Sequence, residues 1–273
     1  MVTLPERSVA SESHRARQMA ESFGANAEAY DRARPRYPDA LVDRIIAETR
    51  HDTPRMDVLD VGIGTGISAI PFHERGADVL GVDVDDRMAT LARSRGFTVE
   101  VAKFEKWNAA GRRFDLVIAG QTWHWIDPVA GARKAAEVLR PGGRLALFWN
   151  VMRFPEPIGA AFGEVFARVL PGNPIAAGMT AGAGAYGSQL DKAADGIRGA
   201  GGFTDIEQWR FDWKRVYSRD EWIDALPTSG GLNRLAAEQL RPLLEGMSTV
   251  IDDAGGSFTM DYAAVLATTT RRH

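Results

Sequence analysis

The sequence predicts an α/β protein organised on a doubly wound, mostly parallel β-sheet, and three observations carry that prediction. Apolar runs of strand length alternate with helical patterns from about Met56 to Trp149, with no internal repeat. Several of the strand runs are apolar almost throughout, as strands covered on both faces are. A cluster of glycines sits where the first such strand meets the helix that follows it.

Val58–Val61, Val79–Val82, Thr98–Val101, Leu116–Ala119 and Leu145–Trp149 read as strands, with Ile67–Glu74, Arg87–Arg95 and Val129–Leu139 as helices between them. Ligands of such sheets bind beyond the carboxyl ends of the strands, so the loops after Val61, Val82, Val101, Ala119 and Trp149 are where chemistry is to be sought. Upstream, residues 13–30 and 38–50 read as helices, separated by Ala33–Tyr37 with prolines at 35 and 38. Downstream, Leu170–Gly187 is rich in Gly and Ala and reads equally as a mobile lid and as a bland linker. A helix at Gln189–Ala200, a strand at Ile206–Val216, helices at Arg219–Ala225 and Leu232–Asp252, and a strand at Phe258–Thr268 complete the chain.

Composition narrows the chemistry. The 273 residues are 45% hydrophobic and 25% charged with a net charge of −3, the profile of a soluble globular protein. Cysteine is absent, which excludes disulfides, Cys-ligated metals and thiol nucleophiles. An acidic balance gives no global field for nucleic acid or anionic membranes. The first twenty residues lack an apolar targeting core, and runs such as Leu145–Met152 are too short to span a bilayer, so a cytoplasmic location is expected.

In VLDVGIGTGISA, Val58–Ala69, glycines at 62, 64 and 66 let the backbone turn sharply and let a ligand approach without a Cβ in the way. Spacing alone leaves a dinucleotide open, because G-x-G-x-x-A survives from Gly64 to Ala69. Charge discriminates better: Asp60, two residues before the first glycine, repels a diphosphate and favours an ammonium group. Its plainer role is to accept hydrogen bonds from loop amides. Asp83, 21 positions after Gly62, ends the next strand, where a carboxylate can accept both hydroxyls of a ribose. Asp85 and Asp86 read as cap or first-turn residues of the next helix.

VLDVGIGTG, then GVDVDDRM, then FDLVIAG (Phe114–Gly120), then AEVLRPGGRLALFWN (Ala136–Asn150) resemble, in that order, the class I S-adenosylmethionine-dependent methyltransferases. SFGANAEAYDRARPRYP (Ser22–Pro38) further resembles the cap of a small-molecule subgroup with a His-Trp pair after the fourth strand, here His124 and Trp125. The resemblance implies a Rossmann-like methyltransferase fold with a seven-stranded, mostly parallel sheet, an N-terminal helical cap and inserted helical segments. Residues 1–273 then form a single methyltransferase domain: cap 1–50, cofactor-binding core 55–150, insertion or lid 151–200, and C-terminal strands and helices 201–273.

The cofactor implied is S-adenosyl-L-methionine. Asp60, Gly62 and Gly64 would hold its methionine part and Asp83 its ribose; Val84 and Met88 would pack on adenine, with Gly120 beneath. Tyr30 and Arg34 would close over the sulfonium and pair with the carboxylate, although Arg34 also reads as a solvated loop cation. The family's usual acid for the adenine amino group is replaced by Lys103, so that contact falls to Glu105 or to the backbone at Phe104.

Methyl transfer from a sulfonium needs alignment and exclusion of water, and a base only where the acceptor must lose a proton. His124 is the candidate base, with loop packing as its alternative. His14, His51, His73 and His273 show no metal-ligand spacing, so no metal is expected. Trp123, Trp125 and Phe154 suggest an aromatic acceptor pocket, whereas Trp149, ending a buried strand, reads as core. Gly120, Gln121 and Thr122 stand where nucleic-acid amino-methylating enzymes carry an Asn/Asp-Pro-Pro-Tyr loop, which points to a small-molecule acceptor. An NAD(P)-dependent oxidoreductase and a non-catalytic S-adenosylmethionine-binding protein are the alternatives.

Overall fold

A computed structural model of the chain describes residues 27–49, 54–172, 184–229, 232 and 235–273, with the backbone alone for 184–186. The helix expected before residue 27 and the 173–183 part of the glycine-rich stretch lie outside the described residues.

In chain order the elements are α1 (Ala27–Ala33), α2 (Asp39–Ala47), β1 (Asp57–Val61), α3 (Ile70–Glu74), β2 (Asp78–Asp83), α4 (Asp86–Ser94), β3 (Thr98–Val101), β4 (Phe114–Gly120), α5 (Pro128–Val138) and β5 (Leu139–Arg153). They continue as α6 (Ile158–Val169), α7 (Gly184–Ala200), β6 (Glu207–Ser218), α8 (Arg219–Ala225), α9 (Ala237–Asp253) and β7 (Ser257–Thr270). Short 3-10 turns at Phe104–Lys106 and Trp123–Trp125 follow β3 and β4. The strands form one seven-stranded sheet in the order β3-β2-β1-β4-β5-β7-β6. β1 to β5 run parallel, and β7 lies antiparallel between β5 and β6. This is the predicted fold class. Strand order reverses between β1 and β4, which opens a crevice at their carboxyl ends.

The near-continuous apolar strands feed two cores at once, because successive side chains point to opposite faces. Leu59, Val61, Val117, Ala119, Leu145 and Leu147 pack on one face against Ala132, Ala135 and Val138 of α5 and Ala193 and Ile197 of α7. Val58, Leu116, Ile118, Ala146 and Phe148 pack on the other against Leu41, Val42 and Ile45 of α2 and Phe72 of α3. Each fully buried Val, Leu, Ile or Phe among them contributes roughly 1.5–3 kcal/mol of transfer free energy. A third cluster joins α6, α8 and α9 to the start of β7.

Several elements differ from expectation: α7 begins at Gly184, inside the stretch read as a loop, and α9 begins at Ala237 rather than Leu232. β5 begins at Leu139 because the Pro141-Gly142-Gly143 segment, which reads as a loop, is absorbed where the β4 register shifts between Phe114 and Leu116. α3 is shorter than expected, since Ile67–Ala69 belong to the turn out of the glycine loop. α6 was not foreseen; it buries Ile158, Phe162, Val165 and Phe166 at helical spacing.

Candidate active site

At the crevice the chain leaves β1 through Gly62, Gly64 and Gly66, with φ of +70°, +56° and +94°. These left-handed values favour glycine. The N–H groups of Gly62 and Ile63 donate to Val82 O at 2.7 and 3.3 Å, pinning the turn to the end of β2. A Cβ on Gly62 would stand 2.0 Å from Thr122 Cγ2, whereas one on Gly64 would meet only Met88 Cε at 3.6 Å and Gly62 O at 3.9 Å. Gly62 therefore permits a close backbone approach to the β4 loop, and Gly64 leaves the turn open towards the cavity.

Two carboxylates flank the turn. Asp83 Oδ2 accepts from Gly64 N–H at 2.7 Å and Oδ1 from Asp85 N–H at 2.8 Å, which orients the group at the cavity wall with lone pairs remaining. Burial pushes its pKa up. Asp60 is fully buried behind the wall: Ser68 Oγ donates to its Oδ2 at 2.6 Å, and its Oδ1 has no hydrogen-bond partner. Burial raises this carboxyl to about 7, with the nearby Asp83 charge adding to the rise. Asp85 caps α4 by accepting from Arg87 N–H, as the sequence indicates.

The cap is fastened by the buried Asp31, which no motif marks out. Its carboxylate accepts from Arg95 at 2.6 and 2.7 Å, from Arg36 at 3.1 and 3.4 Å, and from the Thr65 hydroxyl at 2.7 Å. Burial alone would raise this acid, but bonds from Arg95, Arg36 and Thr65 hold it well below the usual carboxylate range. α1 is thereby tied to the glycine turn and to the end of α4, with Tyr30 and Arg34 over the cavity. The Arg34 guanidinium lies 4.5 Å from the Tyr30 ring centroid and donates to Thr228 O at 2.6 Å.

These parts surround a cavity of about 680 Å³. Tyr30, Arg34, Gly62, Gly64, Asp83, Val84, Met88, Phe104, Gly120, His124 and Trp125 all line it, as do Lys103 and Glu105. Trp123 and Phe154 do not. Trp123 is buried in the sheet core against Phe104, and Phe154 packs edge-on to Phe162 and Trp222. Their place near strand ends suggested a pocket role, but both face packed elements. Trp149 is core, as read. Gln121, Asn150, Met152, Gln189 and Tyr262 also line it. Of these, Gln121 carries a local signal of strain, a φ of +55° at a non-glycine residue.

His124 differs from its expected role. Trp149 Nε1–H, which can only donate, donates to His124 Nδ1 at 3.3 Å. Burial pushes the imidazole pKa down to about 4, so at neutral pH the ring is uncharged and its one proton resides on Nε2. The lone pair a base would use is already engaged.

Comparison with known proteins places the domain. A family model described as a methyltransferase domain matches residues 59–147. An uncharacterized methyltransferase of Mycobacterium tuberculosis is 36% identical over 163 residues, covering 58% of this chain and 63% of that protein. A ubiquinone biosynthesis O-methyltransferase of Cereibacter sphaeroides is 33% identical over 148 residues, covering 49% of this chain and 60% of that protein. The chain thus spans under two thirds of these relatives. A candidate type II methyltransferase from Anaeromyxobacter dehalogenans shares the fold at a TM-score of 0.59 and 20% identity, covering 88% of this chain and 97% of that one. Fold, glycine turn and family match together define a Rossmann-like methyltransferase domain. That domain is similar to the methyltransferases just described.

Proposed function

We propose that this protein transfers a methyl group from S-adenosylmethionine to a small organic molecule by in-line displacement. The observation that carries the reading is the pair of carboxylates flanking the glycine turn. Asp83 lies at the cavity wall and Asp60 lies beneath it with one oxygen lacking a partner. A diphosphate is repelled by this pair, whereas a ligand bearing an ammonium and a ribose satisfies it. The residues present fit S-adenosylmethionine. Asp60, Gly62 and Gly64 would hold its amino-acid end, with Tyr30 and Arg34 above; Asp83 would hold the ribose; and Val84, Met88 and Phe104 would flank the adenine, where the Lys103 departure leaves Glu105 and the backbone as polar partners.

When bound, the cofactor supplies an activated methyl group on a positively charged sulfur. What the chain contributes is alignment and dryness. The Asp31 cluster holds the cap over the cavity, and Trp125, Met152 and Tyr262 give the acceptor end apolar walls. Among the described residues no group of metal-ligating side chains occurs, and no helix is long and apolar enough to cross a membrane.

Calorimetric titration with S-adenosylmethionine, its demethylated product and NAD tests the reading. The first two are expected to bind, and binding of NAD alone overturns it. Turnover against phenols, carboxylic acids and amines then separates an enzyme from a cofactor-binding protein. Methylated product is expected; cofactor binding with no product across the panel favours the binding role.

A further inference from the structure

Two phenols meet at the wall of the cavity. Tyr262 of β7 lines it beside Met152, its register partner on β5, and Tyr217 of β6 lies behind with the two hydroxyl oxygens 2.6 Å apart. The Tyr262 ring is held in place. Trp213 stacks on it with 4.4 Å between centroids, and the Trp213 Nε1–H donates to Asn150 Oδ1 at 3.2 Å, which fixes the indole in turn.

Two hydroxyls that share one hydrogen bond leave one proton over. Tyr217 is buried and does not line the cavity; its ring is enclosed by Trp222, Phe258 and the Arg215 guanidinium. Among the described residues its hydroxyl meets no hydrogen-bond partner other than Tyr262. If Tyr262 gave the bond, the Tyr217 O–H would stay buried without an acceptor, which costs more than the bond itself is worth. If Tyr217 gives it, the proton left over belongs to the residue that borders the cavity. A hydroxyl that already accepts one hydrogen bond is also a stronger donor in a second. Burial raises the Tyr262 pKa, so the phenol keeps its proton.

Resting on the methyltransferase reading, we infer that Tyr217 donates to Tyr262 and that Tyr262 donates its own O–H to the methyl acceptor, at a lone pair other than the one that attacks the methyl carbon. Tyr262 is then a substrate-contact residue, and Tyr217 a positioning residue that acts through it. No proton is transferred. The bond holds the acceptor in line for displacement.

The first test needs neither cofactor nor acceptor. Denaturant unfolding compares the parent, Tyr217→Phe, Tyr262→Phe and the double variant. Tyr262→Phe strands the buried Tyr217 hydroxyl and is expected to lose roughly twice the stability lost in Tyr217→Phe, whereas the double variant, with no hydroxyl stranded, is expected to regain part of that loss. Equal losses, or a larger loss in Tyr217→Phe, overturn the direction of the bond. The second test uses S-adenosylmethionine with the phenol, carboxylic acid or amine that the full chain turns over fastest. Tyr262→Phe is expected to raise the KM for that acceptor by about 10-fold and Tyr217→Phe by about 3-fold. The double variant is expected to keep the full rise even as its stability recovers. A KM that recovers together with stability, or that does not move in Tyr262→Phe, makes the pair structural only and overturns the contact. An equal fall in calorimetric affinity for S-adenosylmethionine overturns it too, by giving the hydroxyl to the cofactor. If S-adenosylmethionine fails to bind the parent, it is the methyltransferase reading that falls, and the unfolding comparison still decides which hydroxyl donates.

Discussion

Asp60 shows how a single residue couples proton and ligand. Its carboxyl is raised to about 7 from an ordinary 3.8, so between those values the folded protein holds a proton that the unfolded chain has lost. Its stability contribution is therefore complete below about pH 4 and falls as the pH rises through about 7, by up to a few kcal/mol at 1.36 kcal/mol per unit. Asp83 is raised in the same direction, so the clean measurement is a difference between proteins. Denaturant unfolding at pH 5.5 and pH 8 is expected to show a smaller loss of stability in Asp60→Asn than in the parent. The same substitution is expected to weaken S-adenosylmethionine binding by roughly 10- to 100-fold, because an ammonium loses its carboxylate. Calorimetry at pH 6.5 in buffers of different ionisation enthalpy is expected to show a proton released on binding, and to lose that release in the variant. The glycines differ in kind. Gly62→Ala meets both a left-handed φ and a 2.0 Å approach to Thr122, whereas Gly64→Ala meets the backbone strain alone. Thermal unfolding is expected to show about 1–2 kcal/mol lost at Gly64 and several at Gly62. Asp60, Gly62 and Asp83 were legible in the sequence because the turn that groups them is local. His124 was legible as a cavity residue and not as a donor, since its tautomer is set by Trp149 on β5, a neighbour only after the sheet forms.

At the scale of elements, α1 is the piece that least holds itself. Seven residues are too few to be helical alone, so its place depends on what binds it. Asp31 binds it, joining α1 to Thr65 in the glycine turn and to Arg95 after α4. Asp31→Ala leaves Arg95 without its carboxylate partner, and opening of α1 is expected to become easier by about 2–4 kcal/mol. Hydrogen exchange over residues 27–33 is the measurement. Faster exchange there, with β1 and β4 unchanged, is the expected pattern, together with weaker cofactor binding; slow exchange throughout would mean that α1 is held by packing instead. The Asp31 contribution is present above the ordinary carboxylate range and is lost as the pH falls below it, because its pKa is depressed. The cap was recognisable by its motif, yet nothing in the motif pointed to Arg95. The strands were legible through period and composition. α6 was not, because its apolar face fits partners, α9 and β7, that come much later in the chain. Trp123 and Phe154 show the converse limit: aromatic residues near strand ends look alike in sequence whether they face a cavity or a neighbouring helix.

The whole molecule divides its labour along the sheet. On the proposed reading the cofactor is held by α1 and by the segments at the ends of β1, β2 and β3, whereas Met152, near the end of β5, and its partner Tyr262 on the antiparallel β7 wall the acceptor end. Tyr262 is anchored from behind: its hydroxyl lies 2.6 Å from that of Tyr217, and Trp213 stacks on it at 4.4 Å. Tyr217 in turn meets Trp222, whose ring also contacts Phe154, Phe162 and Phe258. Trp222 is thus a hub behind Tyr262, on a helix, α8, that also packs against α1. Replacing it by alanine removes a buried indole from this cluster, a change that costs about 3–5 kcal/mol in packed cores, and the loss should be felt where α6, α8 and α9 meet β7. Trp222→Ala is accordingly expected to raise the KM for the acceptor by about 10-fold through a misplaced Tyr262, and to weaken calorimetric affinity for S-adenosylmethionine less, because α1, which packs against α8, is tied separately by Asp31. Trp222→Phe, which keeps a ring in the cluster, is expected to fall between the two proteins and guards against wholesale unfolding. Cofactor affinity falling in step with acceptor affinity would show that the two ends respond as one unit, and would overturn the division.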